Sequence, residues 1–154
     1  MNITDDIAGL RRILTRYRSI AVVGISANWY RPSYFAAKYM LDHGYQIFPV
    51  NPNYSEVLGR KCYPTIAAIP ESVDIVDCFR KPAEMVPLAH EAVSKGAKVL
   101  WMQLGIRNDE AAAIASAAGL DVVMNHCVKI EHARILGRLN WAGVNTGVIS
   151  SRRA

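Results

Sequence analysis

The sequence predicts one α/β domain built on a five-stranded parallel sheet, and two observations carry that prediction. Five short, continuous apolar runs recur along the chain, at Ser19–Gly24, Tyr45–Val50, Val73–Phe79, Lys98–Met102 and Leu120–Met124. Strands covered on both faces read this way, and such strands belong to parallel sheets. Helical stretches lie between most of the runs and close on glycine. They are Pro32–His43 before Gly44, Ala83–Lys95 before Gly96, and a third that starts after Asn108 and ends at Gly119. Strand and helix in alternation imply right-handed crossover units.

The elements follow in order. A helix is expected over Thr4–Tyr17, because Ile3, Ile7, Leu10, Leu14 and Tyr17 step by three and four along one face. Thr4 is placed to cap it, and Asp5 and Asp6 suit its positive end. This helix should pack on the domain as an extra arm. Ser19–Gly24 is the first strand. Pro32 suits the first position of the next helix, and Gly44 its close. The second run contains Pro49, which has no N–H to pair inside a sheet, so regular pairing is expected to end near Phe48. Asp109 and Glu110 favour the first turn of the last crossover helix. Residues Val128–Arg138 read as helical. The expected strand order is 3-2-1-4-5, a Rossmann-like three-layer arrangement. The whole chain, 1–154, is expected to be one domain: an N-terminal helix over 1–18, a core over 19–138 and a tail over 139–154.

Composition narrows the function. Hydrophobic residues make up 51% of the chain and charged residues 20%, an ordinary globular balance that argues against disorder. No apolar run approaches the roughly 20 residues needed to span a bilayer. The first residues carry acids and no apolar block, unlike a secretory signal, so a cytoplasmic location is expected. Cys62, Cys78 and Cys127 are scattered and form no C-x-x-C pair, which argues against a zinc ribbon or a dithiol redox motif; no metal site is expected. The net charge is +5, but Arg11, Arg12, Arg16, Arg18, Arg152 and Arg153 exceed that excess and lie near the ends. Without interleaved aromatics they do not suggest nucleic-acid binding.

Ligands of open parallel sheets bind beyond the carboxyl ends of the strands. After the first run come Gly24, Ser26, Ala27, Asn28, Arg31, Pro32 and Ser33. Gly24 permits a tight turn, small residues let a phosphate approach backbone N–H groups, and the following helix adds its positive end. Arg31 adds a fork suited to phosphate oxygens. The plainer reading is that any strand-to-helix turn needs a glycine and a cap. The loop lacks G-x-G-x-x-G, which counts against NAD. After the second run stand Asn51 and Pro52, where NAD enzymes place an acid; a neutral residue fits a ribose phosphate, as in NADP or coenzyme A. After the third, Phe79 could cover an adenine or a pantetheine arm, and Arg80 and Lys81 could meet phosphates. After the fourth, Gln103 can donate and accept at the cleft. After the fifth, Asn125-His126-Cys127 and Lys129, Glu131 and His132 are rich in reactive side chains, but adjacent residues of an extended segment point to opposite faces, which speaks against a nucleophile pair or a metal site.

In this order and at these strand ends, six pieces resemble the CoA-binding domain family, whose best known relative is the N-terminal domain of the succinyl-CoA synthetase alpha subunit. They are Val22-Val23-Gly24-Ile25-Ser26, Arg31-Pro32-Ser33, Pro49-Val50-Asn51-Pro52, Cys78-Phe79-Arg80-Lys81-Pro82, Trp101-Met102-Gln103-Leu104-Gly105-Ile106 and Cys127-Val128-Lys129-Ile130-Glu131-His132. The resemblance runs from about Ser19 to Leu136. It implies coenzyme A or an acyl-CoA as ligand, with Gly24, Ser26, Ala27, Asn28, Arg31 and Ser33 at the phosphates. Asn51 and Pro52 would flank the adenosine, Phe79 and Arg80 the nucleotide, and Gln103 the far wall. Two departures stand out: Asn125-His126-Cys127 replaces the more usual Asp-Arg-Cys, and the bulky Trp29 and Tyr30 sit in the first loop, where they could narrow the site or stack on a base. Ligase chemistry in that family needs a further domain with a phosphorylated histidine, so no catalysis by this chain alone is expected, and a homodimer or a partner enzyme is an open expectation. An NADP-dependent oxidoreductase is the alternative, though no Tyr-x-x-x-Lys pair is present; a non-catalytic interaction subunit with a vestigial nucleotide site is another. Cys127 could also form a mixed disulfide with the CoA thiol.

Overall fold

Alternation of side chains along five buried strands divides the core into two apolar layers. The computed structural model describes residues 3–137. The elements run α1 (Ile7–Arg16), β1 (Ser19–Val23), α2 (Pro32–Asp42), β2 (Gln46–Val50), a hairpin of β3 (Glu56–Val57) and β4 (Arg60–Lys61), β5 (Ile75–Cys78), α3 (Met85–Lys95), β6 (Val99–Met102), α4 (Asp109–Ala117), β7 (Asp121–Val123) and α5 (Val128–His132). A π-helical segment, Ala133–Gly137, continues α5. Ile20, Val22, Ile47, Ile75, Val99, Trp101 and Val123 point to the layer of α1, α2 and α5. Ala21, Val23, Phe48, Val76, Leu100 and Met102 point to the layer of α3 and α4. The period of two along each strand is what separates the layers.

The sheet is parallel, in the order β2-β1-β5-β6-β7. The Rossmann-like class expected from the sequence is therefore present, with one reassignment. The run at Val73–Phe79 does not lie outside the second strand. It pairs directly with β1, Val22 beside Asp77. The third position of the 3-2-1-4-5 winding is held instead by Tyr63, through a single parallel bridge to Val50. The chain between β2 and β5 uses the small hairpin and this bridge to reach the far side of β1.

Pro49 is also reassigned. Pairing does not end at Phe48; Pro49 lies in β2 in register with Val22. The two carbonyls that β2 presents outward and toward β1 explain this. Pro49 O accepts from Tyr63 N at 2.9 Å on the outer side, while Val50 O accepts from Gly24 N at 2.9 Å on the β1 side. The missing proline N–H thus falls on the outer edge, on the side where Tyr63 bridges Val50.

The N-terminal helix starts later than its periodicity suggests. Asp6 is the cap, its Oδ1 accepting from Gly9 N at 3.0 Å. Thr4 donates its N–H to Val122 O at 2.8 Å instead, and Ile3 bridges Val122, so residues ahead of the helix extend the sheet edge beyond β7. Leu10, Ile13 and Leu14 are the buried face; Ile7 is exposed. The glycine closures at Gly44, Gly96 and Gly119 all have positive φ, as left-handed helix ends require. The helix expected up to Arg138 is present through Gly137; the tail over 139–154 lies outside the described residues.

In the α1–α2–α5 layer, the Tyr39 hydroxyl and His132 Nδ1 share a hydrogen bond of 2.9 Å. Burial lowers the His132 pKa to about 4, helped by His43 and Arg18 nearby. An unfolded histidine titrates near 6.5. The neutral ring therefore contributes stability that is present above pH 6.5 and lost as pH falls toward 4. The wild-type chain should lose stability relative to His132→Asn over that interval, read as the change in denaturant midpoint difference between pH 7 and pH 4.5. A constant difference would show that the ring is not held neutral.

Candidate functional site

Because β5 neighbours β1, the loops after these two strands meet. Gly24 ends β1 with φ +86°, and a Cβ there would stand 2.6 Å from Phe79 O. Any other residue would push the Phe79 carbonyl away. Phe79 N in turn donates to Val23 O at 2.8 Å. This contact joins the two loops over the point where the winding of the sheet reverses, the place where open α/β sheets hold ligands.

A cleft of about 400 Å³ opens there, lined by Gly24, Ser26, Asn28, Arg31, Pro32, Ser33, Tyr54 and Phe79. The loop between β1 and α2 is held by its own polar groups. Ser26 N donates to the buried Ser33 Oγ at 2.9 Å, and Asn28 N to Ser26 Oγ at 3.1 Å. Arg31, the N-cap of α2, makes no side-chain capping bond, and Pro32 stands in the first turn. The positive end of α2 therefore faces the cleft without a capping side chain of its own, beside an arginine. That combination is suited to an anion.

Of the residues singled out from the sequence, Gly24, Ser26, Asn28, Arg31, Ser33 and Phe79 come together on the cleft wall. Ala27 lies in the same loop, exposed, and is not on the wall. Asn51 is committed to the protein: Nδ2 donates to Ile25 O at 2.9 Å, and Oδ1 accepts from Asn53 N at 2.8 Å. It ties the β2 loop to the phosphate-loop candidate and, with Pro52, sets the turn that leads to Tyr54. Tyr54 itself is on the wall, and its signal in the sequence is an aromatic residue three positions past Asn51. Arg80 packs its Cδ near Gly24 and pairs with Glu84 at 3.3 Å. Arg80 is not on the cleft wall, and its Nε is buried with no hydrogen-bond partner among the described residues.

Gln103, expected on the far wall, is not among the residues lining the cleft. It is 3% exposed, and its Nε2 donates to Asp77 Oδ1 at 2.5 Å. Asp77 is buried in β5 between Val22 and Trp101. Loss of water raises its pKa to about 8, with the Gln103 amide pulling the other way. The sheet thus carries a neutral acid at neutral pH, two residues before Phe79 and invisible to periodicity. His126 is flanked by Asp5 at 2.6 Å and Glu131 at 3.4 Å, and Cys127 is the N-cap of α5. Among the described residues no group of three or more His, Cys, Asp or Glu is arranged to hold a metal. No helix among them is long and apolar enough to cross a membrane.

Comparison with known proteins places this geometry in context. A family model described as CoA binding domain matches residues 18–133. The chain is 39% identical over 126 residues to the uncharacterized protein YneT of Bacillus subtilis, covering 82% of this chain and 93% of that one. It is 31% identical over 128 residues to acetate–CoA ligase [ADP-forming] II of Archaeoglobus fulgidus, covering 80% of this chain but only 19% of the ligase. A hypothetical protein from Pyrococcus horikoshii is 47% identical with a TM-score of 0.84, covering 86% of this chain and 94% of that structure.

Two substitutions test the construction of the site. Gly24→Ala should cost about 1–3 kcal/mol in denaturant unfolding, from positive φ and the clash with Phe79 O; an unchanged midpoint would mean the two loops are not in contact. Asp77 keeps its proton in the fold up to about pH 8 and loses it near 4 when unfolded. Its contribution is therefore present at low pH and lost as pH rises between these values. Asp77→Asn should gain on the wild type by about 1 kcal/mol per pH unit between pH 5 and 8. A pH-independent difference would place the carboxylate in water.

Proposed function

The chain belongs to the CoA-binding domain family, and from that membership we propose that it binds coenzyme A or an acyl-CoA in the cleft above β1 and β5, without catalysis of its own. The observation that carries the reading is the uncapped positive end of α2, with Arg31 beside it, opening onto a cleft whose floor is a glycine too crowded for a Cβ. Coenzyme A carries a pyrophosphate and a ribose phosphate, so an anion-seeking cleft suits it. In this reading the backbone from Gly24 through Ala27 to Asn28, with Ser26 and Ser33, surrounds the pyrophosphate. Arg31 neutralises part of its charge through its forked donors. Arg80, whose Cδ packs near Gly24, adds positive charge beside the cleft. Phe79 and Tyr54 offer flat apolar faces to the adenine or the pantetheine arm.

Asn51, Pro52 and Gln103 act differently from the residues above. Asn51 holds Ile25 and so the shape of the phosphate loop, Pro52 shapes the turn toward Tyr54, and Gln103 supports the far wall through Asp77. A neutral acid in β5 keeps negative charge away from an anionic ligand. The ligase relative is named for acetate and CoA. The chain spans about a fifth of that protein, and the ligase reaction is not assigned to it.

Isothermal titration with CoA, acetyl-CoA, NADP and NAD tests the reading. CoA should bind in the micromolar range with NAD silent, and Arg31→Glu should weaken binding at least tenfold by replacing a phosphate partner with a repulsive charge. NADP binding alone would replace the reading with an oxidoreductase, and an Arg31→Glu affinity equal to wild type would move the phosphates elsewhere.

A further inference from the structure

The segment ahead of α1 is seated on the sheet by few contacts, and one of them depends on a proton. Ile3 bridges Val122, and Thr4 N donates to Val122 O at 2.8 Å. The next residue, Asp5, is exposed, and its Oδ1 stands 2.6 Å from Nε2 of His126, in the loop between β7 and α5. The other ring nitrogen, Nδ1, stands 3.4 Å from Oε2 of Glu131. Glu131 is buried, and Arg134 pairs with its second oxygen. The His126 side chain is itself only 22% exposed. Its backbone is fixed, because His126 N donates to Met102 O at 3.3 Å and Trp101 Nε1 donates to His126 O at 2.8 Å. The ring therefore stands between two carboxylates carried by two different elements, the N-terminal segment and α5.

An imidazole with a carboxylate at each nitrogen donates to both only as the imidazolium. The neutral ring has one N–H and turns a lone pair toward the second carboxylate. We propose that His126 is a proton-operated latch for the N-terminal segment, holding Asp5 while the ring is doubly protonated and letting it go when a proton leaves. The two carboxylates are unequal, and that decides which contact is lost. Glu131 is out of water, and a buried carboxylate that faces a lone pair in place of a donor is costly. Asp5 is in water and loses little by turning to solvent. The remaining N–H therefore stays with Glu131. Other charged groups nearby are engaged elsewhere. Asp6 accepts from Gly9 N, Lys129 lies over the Phe35 and Tyr39 rings, and Arg12 pairs with Asp121. Among the described residues, Asp5, Glu131 and Arg134 are the charged groups paired with the ring or with its partners. Release of Asp5 leaves the pairing with Val122 to hold Ile3 and Thr4 along the edge of β7.

The test is amide exchange at Thr4 in the full chain, followed by NMR from about pH 5 to about pH 9, the range in which histidines titrate. Each rate is expressed against that of an unstructured peptide at the same pH, and the His126 ring protons give the titration of the latch in the same samples. Protection of Thr4 should fall about fivefold as pH rises, the upper end for a partly exposed ion pair, and the fall should follow the His126 titration. Asp5→Asn, a change at an exposed position, should leave the fold intact and hold Thr4 at the lower protection throughout. Glu131→Gln should do the opposite. The new amide can donate to Nδ1, so the neutral ring keeps its Nε2–H on Asp5 and Thr4 stays protected across the range. Wild-type protection that does not change with pH, or a pH dependence that persists in Asp5→Asn, overturns the latch. So does a fall in Glu131→Gln that matches the wild type; should that variant fail to fold, Asp5→Asn and the wild type decide the case by themselves.

Discussion

The approach of Gly24 to the Phe79 carbonyl is the constraint on which the cleft depends. A Cβ at position 24 would lie 2.6 Å from that oxygen. Without one, the end of β1 and the end of β5 close to hydrogen-bonding distance, and the loops that follow diverge around an open space. The divergence creates the cleft, and the positive φ of Gly24 turns the chain toward α2. Arg31, Pro32 and Ser33 reach the wall only because that turn brings the start of α2 over the strand ends. The consequence extends from one missing methyl group to the placement of a helix terminus.

The polar groups around the cleft fall into two sets with different work. Ser26, Ser33, Asn28 and Asn51 hold the backbone through short hydrogen bonds within and between the two loops. Arg31 is not held in that way, whereas Arg80 pairs with Glu84. Rigid loops beside the Arg31 guanidinium suit the capture of an anion, because little ordering remains to oppose binding. Asp77 belongs to neither set. It is buried, neutral at pH 7 and bonded to Gln103. A charged carboxylate there would oppose the field that Arg31 and α2 direct into the cleft.

Much of the architecture was legible from periodicity. The apolar runs and the glycine closures place the five strands and the helices between them within a few residues, because burial on both faces demands unbroken apolar sequence and a left-handed helix end favours glycine. Three details escaped it. The stripe carries α1 too far toward the N-terminus, because Ile3 and Thr4 fit it yet pair with Val122 in the sheet. Pro49 looked like the end of a strand, although the N–H it lacks points to the side where Tyr63 bridges Val50. The neighbour of β1 was misassigned because Tyr63 contributes one bridge, too little to appear as an apolar run.

Sequence alone determined the alternation of elements, the buried apolar runs and the phosphate-loop candidates, since these follow from local patterns of polarity, glycine and proline. Tertiary structure alone decided which loops share the cleft. Gly24 and Phe79 are 55 positions apart, and their meeting depends on β5, not β2, lying on that side of β1. It also separated residues of the same chemical type into wall and support: Ser26 and Asn28 on the wall, Asn51 and Gln103 turned into the protein, Tyr54 brought in from the side. Hydrogen-bond partners and strand neighbours are properties of the folded arrangement, and no local pattern encodes them.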